Sequence, residues 1–154
     1  MLFSMNWIGD FVDLSELDIP ALIHRFTLST AEVEDIYVKG RDVRGVVVAR
    51  ILSVKKHPSS DHLHLLRVDT GSGIVDCVCG APNVREGLTV AFATVGGTVP
   101  GKDGTPMEIA ARKVAGHPSM GMCCSEAELG VSDDNSGLWV LPDNIPLGTD
   151  IKAI

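Results

Sequence analysis

The chain of 154 residues has no long apolar run. Stretches such as Val46–Ala49 and Leu138–Leu141 have the length of strands, whereas a membrane-spanning helix needs about 20 apolar residues. Residues 1–13 carry acidic side chains and lack a basic segment or a small-residue cleavage pattern, which argues against a secretory signal. We therefore predict a cytoplasmic protein with no membrane partner. The 45% apolar content is enough for one domain with a core and a short appendage.

Cysteine is scarce, and its spacing fits neither a metal site nor a disulfide framework. The cysteines are Cys77, Cys79, Cys123 and Cys124. A tetrahedral zinc site would need His57, His62 or His64 as well, and the adjacent Cys123 and Cys124 would point in opposite directions on a strand. We expect reduced, buried thiols and no metal.

Signatures of catalysis are also missing. The sequence has no phosphate-binding P-loop, no G-x-G-x-x-G after a strand, and no spacing that nominates a nucleophile with its base. Glu126 and Glu128 suit the first turn of a short helix, where the helix dipole favours negative charge, better than a glycosidase pair. We predict no catalytic residue and no cofactor in this chain.

Basic residues are outnumbered overall but not in the middle of the chain. The formal net charge is −7, yet residues 41–113 hold ten Lys or Arg against seven Asp or Glu. A cationic middle is typical of a selective RNA binder, although an ordinary mixed surface has a similar composition. Seven aromatic residues are too few for the stacking platform of sequence-specific single-strand binders. Phosphate, ribose and shape recognition is therefore expected.

The character of the sequence changes near residue 40. Before it, helices are predicted at Met5–Phe11 and after Asp18, with Pro20 in a first turn. After it come short β-rich runs separated by glycine-containing turns at 69–73 and 100–104. The predicted strands are Gly45–Val54, Leu63–Asp69, Ile74–Cys79, Thr89–Thr94, an ill-defined run at Met107–Val114, and Leu138–Leu141.

These runs predict a mainly β fold, a five-stranded OB-fold barrel with a short N-terminal helical appendage. Ser125 followed by Glu128 has the form of a capping box, and Gly130 is placed to end the short helix. The predicted domains are a helical part at 1–39 and the OB barrel at 40–150.

Three loops carry candidate RNA contacts. Lys55 and Lys56 suit phosphate neutralisation, and His57 suits a hydrogen bond to phosphate or ribose, with a solvated basic loop as the alternative. Asn83 and Arg85 offer donors in a second loop, with stabilisation of the turn as the alternative role of Asn83. The third loop, at 116–122, places small groups between two glycines that allow close approach of a polynucleotide.

The ordered motifs of these loops resemble a known family. Lys56-His57-Pro58, Asp61, Val68-Asp69-Thr70-Gly71, Val78 to Val84, Gly121-Met122, Ser125-Glu126 and Leu129-Gly130 are similar to the tRNA-binding domain shared by several aminoacyl-tRNA synthetases and stand-alone tRNA-binding proteins. The resemblance covers roughly residues 40–150 and implies an OB barrel with tRNA as its ligand.

Residues 1–38 resemble the start of the beta subunits of phenylalanyl-tRNA synthetases, through Trp7, Phe11-Val12-Asp13, Leu22, Thr27 and Ala31-Glu32-Val33-Glu34. This resemblance implies a segment of a longer phenylalanine-tRNA ligase subunit, with residues 151–154 starting the return into the N-terminal subdomain. The expected partners are tRNA, the alpha subunit and the remaining beta-subunit domains. ATP and magnesium are expected to bind elsewhere in the parent enzyme.

The resemblance, together with the distribution of basic residues, predicts the contacts to RNA. The predicted residues are Lys55, Lys56, His57, Asp61, Arg67, Asn83, Arg85, Arg112, Lys113, Ser119, Gly121, Met122 and Ser125. The chain departs from the family pattern at His62 and Ala115, where basic residues are common, which predicts weaker binding. The alternative is a structural, subunit-packing domain with little tRNA contact.

Overall fold

A computed structural model describes residues 2–100 and 105–154. The chain divides into two compact units, Met1–Val38 and Lys39–Ile154. No helix among the described residues is long and apolar enough to cross a membrane. Of the turn predicted at 100–104, residues 101–104 lie outside the described part of the chain.

The first unit contains two helices, α1 (Met5–Gly9) and α2 (Ile19–Ser29). Asp18 caps α2 through a hydrogen bond from the Ala21 N–H, and Pro20 lies in the first turn, as predicted. Helix α1 ends two residues before Phe11, although the Phe11 ring still packs edge-to-face on Trp7 with centroids 5.7 Å apart. Neither helix, both of which are fully described, contains a buried residue.

The second unit is built from short antiparallel strands. They are β1 (Arg44–Lys56), β2 (His64–Asp69), β3 (Ile74–Cys79), β4 (Thr89–Pro100), β5 (Pro106–Glu108), β6 (Arg112–Val114), β7 (His117–Ser119) and β8 (Gly121–Cys123). Three-residue 3-10 helices follow at Ala127–Leu129 and Ile151–Ala153. The main sheet has the order β3-β2-β1-β4-β5, with β8 also paired to β4, and β6 and β7 form a separate two-stranded sheet.

The sheet curls until β8 meets β3, which closes a five-stranded OB-type barrel from β1, β2, β3, β4 and β8. The Met120 N–H donates to the Asp76 carbonyl at 2.8 Å, and the Val78 N–H donates to Ser119 Oγ at 3.1 Å. Edge strands expose unpaired backbone groups, and these two bonds satisfy part of the β3 edge. A β-bulge in β1 between Ile51 and Ser53 adds the twist that closure needs.

Strands β1 and β4 are buried on both faces. Val46 and Val48 face an outer core with Leu129, Leu141 and Ile151, whereas Ala49 and Ile51 face the barrel core. Residues 90–93 of β4 alternate between the two cores in the same way. Burial on both faces explains why both strands are near-continuous apolar runs instead of alternating ones.

The strand predictions were wrong for parts of the second half of the chain. Leu138–Leu141 is no strand of the sheet, because it forms only an isolated antiparallel bridge, Val90 to Val140, beside β4. The ill-defined run at Met107–Val114 separates into β5 and β6, and β7 and β8 were not predicted. The capping box is confirmed, since Ser125 and Glu128 exchange side-chain to backbone hydrogen bonds and Gly130 ends the helix at φ 68°.

Candidate nucleic-acid interface

Six of the predicted contacts are cations at the surface. They are Lys55 and Lys56 at the end of β1, Arg67 on β2, Arg85 in the β3–β4 loop, and Arg112 and Lys113 on β6. All six are exposed, and none forms an ion pair with another described residue. Arg67 lies opposite Asp76 in the β2–β3 register, which lowers the positive potential at that point. The other five carry charge that a phosphate can neutralise.

His57 joins two of the three predicted motifs. It is only 4% exposed, although the residues on both sides of it are exposed. Its Nε2 lies 3.1 Å from the Ala115 carbonyl oxygen, and its ring packs edge-to-face on His117 with centroids 4.8 Å apart. Lys56 precedes His57, and Lys113 lies two residues before Ala115. The basic end of β1 and the basic β6–β7 hairpin are therefore neighbours.

Asn83 is committed to a contact within the protein. Its Oδ1 accepts from the Leu138 N–H at 2.8 Å, and its Nδ2 donates to the Leu138 carbonyl at 3.1 Å. These two bonds hold the segment that runs beside β4, so both polar atoms of the side-chain amide have partners within the protein. Nearby Arg85 is exposed and lines a shallow depression of about 310 Å³ with Pro82 and Val140.

Most of the third motif is interior. Ser119 is 3% exposed, accepts from the Val78 N–H and donates to the Gly121 carbonyl at 3.0 Å. Gly121 is buried against Phe92, and Ser125 is buried in its capping box. Met122 is half-buried against the outer core. In the first loop, Asp61 is exposed, and its carboxylate would repel a phosphate.

His57, Ser119, Gly121 and Ser125 are buried, whereas Asn83 is exposed with its amide paired to Leu138. Their contacts with RNA stay predictions. The sequence analysis missed the partners of His57 and Asn83. Ala115 lies 58 residues from His57, and Leu138 lies 55 from Asn83. Pairings at such separations leave no local periodicity to detect.

The four thiols lie beneath this surface, buried and without disulfides. A hydrogen bond from the Cys123 thiol lowers the pKa of Cys77 to about 7, while the same contact raises the pKa of Cys123 well above its usual range. Burial raises the pKa of Cys124. The described residues contain no group of three His, Cys, Asp or Glu side chains arranged to hold a metal ion.

Residues 46–150, which include all of the barrel except the first two residues of β1, match the model of a family described as a putative tRNA binding domain. The chain belongs to this tRNA-binding domain family. It also aligns over 99% of its length with phenylalanine–tRNA ligase beta subunits, at 44% identity in Aromatoleum aromaticum and 42% in Dickeya dadantii. The chain spans about a fifth of the length of these curated relatives, since each alignment covers 19% of the relative.

A crystal structure of a MetRS-related protein from Pyrococcus horikoshii is a structural neighbour of this tRNA-binding domain. The two share 17% sequence identity with a TM-score of 0.49, and the match covers 75% of this chain and 96% of the neighbour.

Proposed function

We propose that this chain is the tRNA-binding module of a phenylalanine–tRNA ligase beta subunit and helps the enzyme to capture tRNA for aminoacylation in the cytoplasm. The observation that carries the proposal is the row of exposed cations at Lys55, Lys56, Arg112 and Lys113, which form no ion pair within residues 2–100 and 105–154, in a tRNA-binding domain family member. We place ATP, magnesium and the aminoacylation site outside this chain, in the alpha subunit and the rest of the parent enzyme.

The binding mode follows from the kind of side chain that is exposed. Lysine ammonium groups act as point charges on phosphates, and arginine adds a planar fork of donors. The barrel surface offers cations and no row of aromatic rings, since Trp7, Phe11 and Phe26 are in the first unit. Binding is therefore electrostatic and largely independent of sequence. Each neutralised phosphate contributes to the salt dependence.

The test is a fluorescence-anisotropy titration with labelled bulk tRNA at about 50 and about 200 mM salt. With about four to six phosphates neutralised, the dissociation constant is expected to rise by roughly two to three orders of magnitude over this range. The double variant Lys55→Ala/Lys56→Ala is expected to bind about 5- to 30-fold more weakly at low salt, with a log–log slope about 2 units shallower.

The matched control is Arg41→Ala/Lys152→Ala, which removes the same charge from two exposed positions outside the row. If net charge alone governed binding, the two double variants would behave alike. Equal loss in both would reject the assignment of the site, and no binding of the unaltered chain at low salt would reject autonomous tRNA recognition.

A second function is favoured by the first unit, which exposes several large apolar side chains. Its exposed large apolar residues include Leu2, Trp7, Phe11, Leu28 and Tyr37, with Trp7 63% and Tyr37 75% exposed. A concentration of exposed large apolar side chains in one unit favours a contact with another protein surface. We propose that residues 1–38 pack against the remaining domains of the parent subunit while the barrel engages tRNA. Purification of the full-length subunit with these residues mutated to serine tests this role. If they form a structural contact, assembly should be lost while the barrel still binds tRNA.

A further inference from the structure

The imidazole of His57 is a buried, fully paired group within a stretch of exposed basic residues. Its Nδ1 accepts from the Ser59 backbone N–H at 3.2 Å, and its Nε2 lies 3.1 Å from the Ala115 carbonyl oxygen. A backbone N–H only donates and a carbonyl only accepts. The two partners therefore select one neutral tautomer, with the proton on Nε2 and donated to Ala115.

The hairpin that His57 contacts is attached to the barrel mainly at its base. Strands β6 and β7 pair only with each other in the described sheets, and β7 lies along β3. Ser119 Oγ, at the end of β7, accepts from the Val78 N–H and so fixes the base of the hairpin. At its tip, Ala115 and Gly116 both have positive φ, 47° and 87°, as a two-residue hairpin turn requires. His57 holds this tip.

We infer that His57 is a positioning residue that fixes the tip of the β6–β7 hairpin, so that Arg112 and Lys113 lie beside Lys55 and Lys56 as one phosphate-binding row. The inference rests on the proposed function for its ligand, the phosphates of tRNA. His57 itself does not touch the RNA, because its two nitrogens are already paired and its ring is covered by His117.

Three substitutions separate the hydrogen bond from the packing. His57→Ala removes both contacts of the ring. His57→Gln keeps a donor near the place of Nε2, whereas His57→Asn keeps a polar group only near the place of Nδ1. Hydrogen exchange is measured at the amides of residues 112–117 and 119 (Pro118 has no amide hydrogen) and, as a reference for global stability, at those of β1 and β4.

In His57→Ala we expect at least 10-fold faster exchange at residues 112–119 with little change in β1 and β4. His57→Gln is expected to restore protection, and His57→Asn is not. Unchanged exchange at 112–119 in His57→Ala would overturn the inference. Equal acceleration throughout the barrel would also overturn it, because His57 would then be a general stabilising residue.

The tRNA titration gives the functional readout. Although His57→Ala removes no surface charge, the log–log salt slope should become about 2 units shallower, as in Arg112→Ala/Lys113→Ala, and the triple variant should lose no more. Additive losses would show that His57 does not act through the hairpin. If the unaltered chain fails to bind tRNA, the proposed function fails, while the exchange data still decide whether His57 positions the hairpin.

Discussion

Gly121, at the start of β8, has no room for a side chain. A Cβ there would overlap the Phe92 ring and lie 2.6 Å from the Ala93 carbonyl oxygen, and φ is 142°. We expect Gly121→Ala to lower the free energy of unfolding by about 2–4 kcal/mol, because β8 must move away from β4. Urea unfolding followed by circular dichroism measures it.

Gly73 is the control for this substitution. It is exposed, and a Cβ at this position meets nothing within 4 Å. Gly73→Ala is therefore expected to change stability by less than about 1 kcal/mol. A small effect at both positions would return Gly121 to the role predicted from sequence, a site where RNA approaches the backbone.

Cys124 makes stability depend on pH. It is fully buried in the outer core, and burial raises the pKa of its thiol above the ordinary 9.0. Above about pH 9 the unfolded chain ionises this thiol while the folded chain keeps it protonated, so the free energy of unfolding falls as pH rises. The expected contribution is up to about 1.4 kcal/mol per pH unit.

Urea unfolding at about pH 8 and pH 10 tests this, with Cys124→Ala as the comparison. The variant is expected to be less stable at pH 8, because it leaves a cavity, but to lose less stability on going to pH 10. Parallel losses in the two proteins would show that other groups control the alkaline limit.

At the scale of the element, the sequence pattern correctly located a strand that pairs with its neighbour along the chain. The bounds predicted for β3, Ile74–Cys79, are those observed, and the turn before it contains Gly71 at φ 80°. Strand β4 was predicted to end at Thr94, but it extends to Pro100. A Cβ at Gly97 would lie 2.7 Å from the Arg44 carbonyl oxygen. Because glycine has no Cβ, β1 can approach β4 closely at this point and the pairing continues.

The parts of the site that sequence could not locate depend on distant partners. Strand β8 has three residues and begins with glycine, so only its pairing with β4 defines it. The exposed lysines were identifiable because charge alone predicts exposure. The burial of His57 was not identifiable from the sequence. The residues that cover it belong to the β6–β7 hairpin, which follows β2, β3 and β4 along the chain.

The β6–β7 hairpin offers a gain in stability. Ala115 adopts φ 47°, which an alanine tolerates poorly, and the following residue is Gly116 at φ 87°. Asn-Gly is the preferred pair for a turn with two positive φ values. We expect Ala115→Asn to raise the free energy of unfolding by about 0.5–1 kcal/mol and Ala115→Val to lower it.

Both variants keep the backbone carbonyl that accepts from His57, so the hairpin contact is preserved. Thermal unfolding gives the comparison, with a rise of roughly 2–4 °C expected for Ala115→Asn. A lower melting temperature in Ala115→Asn would mean that the turn does not adopt two positive φ values in solution.

At the scale of the whole molecule, the two units differ in how they are stabilised. The described residues of both core clusters, from Val43 to Ile151, belong to the second unit, and neither α1 nor α2 contributes a buried side chain. Removal of residues 1–38 should therefore leave both cores intact. We expect residues 39–154 to unfold cooperatively, with a free energy within about 1 kcal/mol of that of the longer chain.

Urea unfolding of the two proteins, followed by circular dichroism, measures this difference, and the tRNA titration measures whether binding persists. The salt slope should be retained, because all six exposed cations of the interface lie beyond residue 38. The truncation also removes an excess of acidic residues, so affinity at low salt should rise, not fall. A loss of more than about 2 kcal/mol would show that the apolar surface of the first unit is already used within this chain, and its proposed contact with the remaining domains of the subunit would then lose its support.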